Sequence, residues 1–211
     1  MKILIIGASR GTGLEAVKIA LEHGHTVTAF SRSAQNLGIQ SNNLIKFEGD
    51  FHQIDSVYQS VNGQDAVIIT ASASRLREFK EKRTFFSAGT GNVINAMKEY
   101  GVKRLVILSA IGVGESVRLK GPIIKKLLIS FLMKAPFDDH GLQEKMVKES
   151  GLEWVIVRPH RLINAPARKN YIVKTEIGQV PGTISRADVA DFMVKAAQVD
   201  TWIGKAVQIG G

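Results

Sequence analysis

Apolar residues in this chain gather in short unbroken runs: Lys2–Ile6, Thr26–Phe30, Leu44–Phe47, Ala66–Thr70, Arg104–Leu108, Trp154–Val157 and Ala206–Ile209, rich in Val, Ile and Leu. A strand that is apolar at consecutive positions is buried on both faces, as in a parallel sheet layered between helices. Between the runs the spacing becomes helical: Leu14, Val17 and Leu21; Val93, Met97 and Tyr100; Val189, Met193 and Ala196 with Ala197. Gly24, Gly101 and Gly151 stand where a helix should stop before the next strand. The alternation predicts an α/β fold, a doubly wound parallel sheet in a single domain over residues 1–211. The least regular stretch is Gly112–Pro136, where Gly121-Pro122 opens an apolar, Lys-bearing segment too long for a tight turn. A lid over a pocket, the contact of a homodimer or a peripheral membrane contact are the roles open to it.

At 211 residues the chain suits one domain with a core that needs no staples. It has no cysteine, which excludes thiolate nucleophiles, Cys-ligated zinc, iron–sulfur clusters and disulfides. The first apolar stretch ends at Gly7 without a cleavage pattern, and Ile123–Met133 carries Lys125 and Lys126 and falls short of the roughly 20 apolar residues of a membrane span. A cytoplasmic protein without integral membrane contact is the expectation. Lys and Arg number 28 against 19 Asp and Glu, a net charge of +9. Many of the basic residues cluster at Arg75–Arg83, Arg118–Lys126 and Arg158–Lys169, each after a predicted strand. Ligands of open parallel sheets lie outside the carboxyl ends of the strands, so positive charge there would steer an anionic dinucleotide and an anionic small-molecule substrate. Solvated loops are the plain alternative. No aromatic stacking array or recognition helix points to specific nucleic acid binding.

Directly after the first run comes Gly7-Ala8-Ser9-Arg10-Gly11-Thr12-Gly13, leading into the first helix. Glycines allow a tight turn and close backbone approach, and a helix start offers unpaired N–H groups to a pyrophosphate. The second strand ends in Ser31-Arg32, where an NAD site usually carries a carboxylate for the ribose 2′-hydroxyl. Arg32 can pair with a 2′-phosphate and stack on adenine, with Arg10 approaching from the other side, so the cofactor expected is NADP(H). After the fourth strand, the small residues Ala71 and Ser72 would let a dinucleotide cross the sheet edge.

The glycine turn resembles the cofactor loop of the short-chain dehydrogenase/reductase superfamily. Leu105–Ala110, Glu149–His160 and Ile184–Phe192 are similar to its atypical branch of NmrA-like proteins and biliverdin-IXβ/flavin reductases, and the similarity spans nearly the whole chain. The resemblance implies a Rossmann fold, with Asp50 on the adenine amino group and the Phe51 N–H on a ring nitrogen. Asp50 equally suits the cap of a helix starting near Gln53. It further implies that Ser109, followed by Ala110, faces the nicotinamide or substrate. After Pro159, His160 would lie near the nicotinamide, positioning substrate or relaying a proton.

The main branch of that superfamily protonates its product with a Tyr-x-x-x-Lys pair. Four positions after Tyr58, Tyr100 and Tyr171 stand Asn62, Arg104 and Thr175, and an ungapped match to the related extended branch puts Pro136 and His140 in the two places. Losing a positioned acid costs a ketone reductase roughly 10²–10⁴ in rate. A flavin, quinone or tetrapyrrole spreads incoming charge over a π system and can take hydride with positioning and electrostatic help alone. The expectation is an NADPH-dependent reductase of a conjugated acceptor; the alternative is a redox sensor that binds NADP(H) without turnover. His140, read as lying at a helix start behind Asp138 and Asp139 with Glu144 one turn on, lacks the further histidines a metal site would draw on, so no metal is expected. There is no Gly-x-Ser-x-Gly elbow for hydrolysis.

Overall fold

The computed structural model describes residues 1–71, 84–114, 134–175 and 180–211. Strands β1 (Lys2–Ile6), β2 (Thr26–Ser31), β3 (Leu44–Glu48), β4 (Ala66–Ile69), β5 (Arg104–Leu108) and β6 (Glu153–Pro159) pair in the order β3-β2-β1-β4-β5-β6, all parallel. The sheet continues through β10 (Lys205–Gly210), parallel to β6, and ends with β8 (Ile172–Lys174), antiparallel to β10. A two-stranded parallel ribbon joins β7 (Arg161–Ile163) to β9 (Thr183–Ser185). Among the described residues five α-helices cover the two faces: α1 (Gly11–Glu22), α2 (Ile54–Val61), α3 (Phe85–Glu99), α4 (Lys134–Lys148) and α5 (Arg186–Ala196).

The continuous apolar runs act as expected. Ile3 and Ile5 face one core with Val17 of α1 and Met193 of α5, while Leu4 and Ile6 face a second with Val57 of α2 and Met97 of α3. β3 departs from the expectation of burial on both faces: it is an edge strand, and Ile45 is half exposed. The ribbon strands β7 and β9 and the edge strand β8, three residues each, escaped the sequence reading because so short a run carries too few apolar positions to stand out.

The helix carrying His140 starts at Lys134, earlier than Asp138 and Asp139 suggest, because Pro136 falls in its first turn where a missing N–H costs nothing. Asp139 caps a different helix. It accepts the backbone N–H groups of Phe86 (2.6 Å) and Ser87 (3.1 Å) at the start of α3, whose own N-cap, Thr84, makes no side-chain cap bond. A carboxylate there meets both unpaired amides and the positive end of the helix dipole. No helix among the described residues is long and apolar enough to cross a membrane. Of the segment Gly112–Pro136, residues 115–133 lie outside the described residues, as does the whole of the Arg75–Arg83 and Arg118–Lys126 clusters.

Candidate functional site

Strand order reverses between β1 and β4, and at the carboxyl ends of β1 to β4 a cavity of about 270 Å³ opens. The structure brings Gly7, Ser9, Arg10, Ser31, Arg32, Asp50, Phe51 and Ala71 to its walls. Gly7 has φ +87°, and a Cβ on it would come within 2.7 Å of the Ala71 backbone nitrogen. Gly13 lies under the turn, where a Cβ would meet the Gly7 carbonyl oxygen at 2.2 Å. Between them these two positions let the turn pass tightly over the sheet edge and seat α1 against it. Ala8 is fully buried and Thr12 nearly so, which makes them the floor of the turn. Gly11 points elsewhere: a Cβ there would stand 3.4 Å from Arg186 Nε, at the rim of a second cavity of about 540 Å³ between α1 and residues 164–169.

Arg10 and Arg32 are exposed on the cavity wall, and Ser31 is buried between them and the core. Asp50 does not cap α2, whose N-cap is Gln53 without a side-chain bond. Its Oδ1 accepts the backbone N–H of His52 at 2.9 Å, and its backbone carbonyl accepts that of Gln53 at 2.9 Å. Burial opposes ionisation of Asp50, but hydrogen bonds from His52 and the charges of His52 and Arg32 outweigh it and hold the carboxyl below its usual range. Phe51 turns inward and packs on Gly89 of α3, where a Cβ would touch its ring. Ser72 lies outside the described residues.

Farther along the same edge, β5 and β6 end in Ser109 and in Pro159-His160. Ser109 N–H donates to the Val157 carbonyl at 2.8 Å and His160 N–H to that of Ile209 at 3.1 Å. Ala110 and His160 are half-buried, and burial lowers the proton affinity of the His160 ring. The Ser109 hydroxyl donates to Glu144 Oε1 at 2.7 Å. Arg158 completes the group, with Nε on Oε1 at 2.9 Å and a terminal nitrogen on Oε2 at 2.5 Å. Arg158 and Glu144 are 3% and 2% exposed, a dry two-point ion pair linking β6 to α4.

Arg158 therefore adds nothing to surface charge, contrary to its place in the third basic cluster, while Arg161, Arg168 and Lys169 are exposed. The metal donors weighed from sequence are likewise committed elsewhere, Asp139 to α3 and Glu144 to Arg158. Strand parity held the signal for the buried group. Leu105, Ile107 and Ile156 face α4, so Ser109 and Arg158, continuing the same alternation, must face it too.

A doubly wound sheet with a glycine turn at its switch point and cations beside it defines a dinucleotide-binding protein. The chain belongs to the NAD(P)H-binding family, which it matches over residues 7–200. It is 26% identical to an uncharacterised chloroplast protein of Arabidopsis thaliana, over 99% of this chain and 76% of that one. The fold is shared with the anaerobillin reductase ChuY of Escherichia coli (TM-score 0.82, 19% identity, 99% and 96% of the two chains). It is shared equally with a short-chain dehydrogenase/reductase of Veillonella parvula in complex with NADP (TM-score 0.81, 18% identity, 100% and 94%). The residues present fit such a cofactor: the Gly7 and Gly13 positions leave room only for backbone, and the cavity offers two guanidinium groups and one carboxylate.

Proposed function

We propose that the chain is an NADPH-dependent reductase that passes hydride to a conjugated acceptor such as a flavin, a quinone or a tetrapyrrole-like pigment. The cavity fits the adenosine end, with the turn at Gly7–Gly13 on the pyrophosphate, Arg32 and Arg10 on the 2′-phosphate and Asp50 on the adenine amino group. Ser31 at the end of β2 puts no carboxylate in the way of a second phosphate. Bound NADPH would supply the hydride. Ser109 and His160 would then border the reacting end.

One observation carries the choice of acceptor: the Ser109 hydroxyl proton is directed at a carboxylate already bridged by Arg158. Toward a ligand that hydroxyl offers lone pairs, not its proton. His160, whose proton affinity burial lowers, is mostly neutral near pH 7 and a poor acid. Among the described residues at this end no side chain stands ready to protonate an alkoxide, which suits an acceptor that delocalises charge and takes its proton from water.

The test titrates NADPH and NADH, then follows nicotinamide oxidation with flavins, quinones, a linear tetrapyrrole and simple ketones. Preference for NADPH and turnover confined to the conjugated acceptors is the expected result. Faster turnover of ketones would overturn the acceptor assignment. Tight NADPH binding with no turnover at all would make the protein a sensor.

A further inference from the structure

His52 lies two residues beyond Asp50, on the wall of the same cavity. Besides its backbone N–H, its ring Nδ1 meets Asp50 Oδ1, at 3.1 Å. Its Nε2 meets the carbonyl oxygen of Phe85, the first residue of α3, at 3.0 Å. The ring sits edge-on to Phe51 and Phe85, with centroids 5.5 and 4.8 Å away, and the side chain is 14% exposed. Both ring partners accept and neither can donate. The contact to Asp50 is made when the ring N–H stands on Nδ1. The consequence for Asp50 is directional. Oδ1 is held by two N–H groups, while Oδ2 takes no hydrogen bond from any described residue, and the side chain stays 38% exposed on the cavity wall.

We propose that His52 is a positioning residue for base recognition: it fixes Asp50 through Oδ1, braced against α3, so that Oδ2 is presented to the exocyclic amino group of adenine. The inference rests on the assignment of Asp50 to adenine. Hypoxanthine carries a carbonyl where adenine carries the amino group, and a carboxylate held in this pose meets that carbonyl oxygen to oxygen. His52 therefore sets the preference for an aminopurine cofactor. A carboxylate free to rotate would turn away from the carbonyl and discriminate less.

The experiment compares dissociation constants for NADPH and its hypoxanthine analogue. Wild type should favour NADPH by about tenfold or more, the effect of one hydrogen bond to a charged group. Asp50→Ala should abolish the preference. His52→Ala should cut it to about threefold or less, and His52→Asn, whose amide nitrogen falls near the Nδ1 position, should restore most of it. Should His52→Ala not fold, His52→Gln serves in its place, since it keeps an amide for the Phe85 carbonyl and withdraws one from Asp50. Equal weakening of both cofactors by the His52 variants would reduce the ring to packing and overturn the proposal, leaving Asp50 in place. Absence of any preference in wild type would overturn the Asp50 assignment and this inference together.

Discussion

Replacing Glu144 by Leu removes the carboxylate from a pair that is almost wholly dry. The guanidinium of Arg158, 3% exposed, then loses its two-point contact with Glu144, and Ser109 loses its acceptor. Breaking a buried pair from one side costs about 3–5 kcal/mol, whereas replacing both partners with apolar residues is often close to neutral. For a domain of this size each kcal/mol shifts the melting point by about 2–4 °C, so the single variant should melt roughly 6–20 °C lower. Glu144→Leu combined with Arg158→Met should recover most of that loss. Urea unfolding of wild type, both single variants and the double variant closes the cycle, with an expected coupling of at least about 2 kcal/mol. A single-variant loss below about 1 kcal/mol, or losses that simply add, would show that the pair is hydrated and that Glu144 does not hold Ser109.

Arg32→Ala should weaken NADPH by roughly 10- to 100-fold, the value of a charge-assisted contact, and NADH little; equal losses would remove the 2′-phosphate from this residue. Gly13→Ala drives a methyl group into the Gly7 carbonyl, and it should lower stability by about 3 kcal/mol and abolish cofactor binding, as melting and NADPH titration would reveal. His140 should make the fold sensitive to acid. Burial lowers its proton affinity more than Gln143, Asp139 and Glu144 raise it, so the unfolded ring binds protons more readily than the folded one. That stability is complete above about pH 6.5 and is lost as pH falls from there through the lowered folded value. His140→Phe, stacked on Phe86 like the native ring, should lose less stability than wild type between about pH 7.5 and about 5.5; equal losses in denaturant titrations would clear His140 of the effect.

How far the sequence reaches depends on how local the cause is. β1 and β5 begin and end where their apolar runs do, because burial on both faces writes itself into consecutive residues. The glycine turn is legible for the same reason, being set by contacts within a few residues and by the start of one helix. Glu144 is different: it stands 35 residues from Ser109 and 14 from Arg158, and only the pairing of β5 with β6 under α4 joins the three. The same holds for His52, which meets Phe85 across 33 residues. Asp138 and Asp139 misled about the start of α4 because acids near a helix beginning are a local habit. Here one of them serves a neighbouring helix instead.

β10 is the last strand in chain order, yet its slot is interior, between β6 and β8. Until residues 205–210 leave the ribosome, the flank of β6 offers a row of unmatched amide and carbonyl groups along a strand that is largely buried in the finished fold. Such an edge invites pairing with another nascent chain. Synthesis of this protein thus carries a period of exposure that ends only when β10 threads into place.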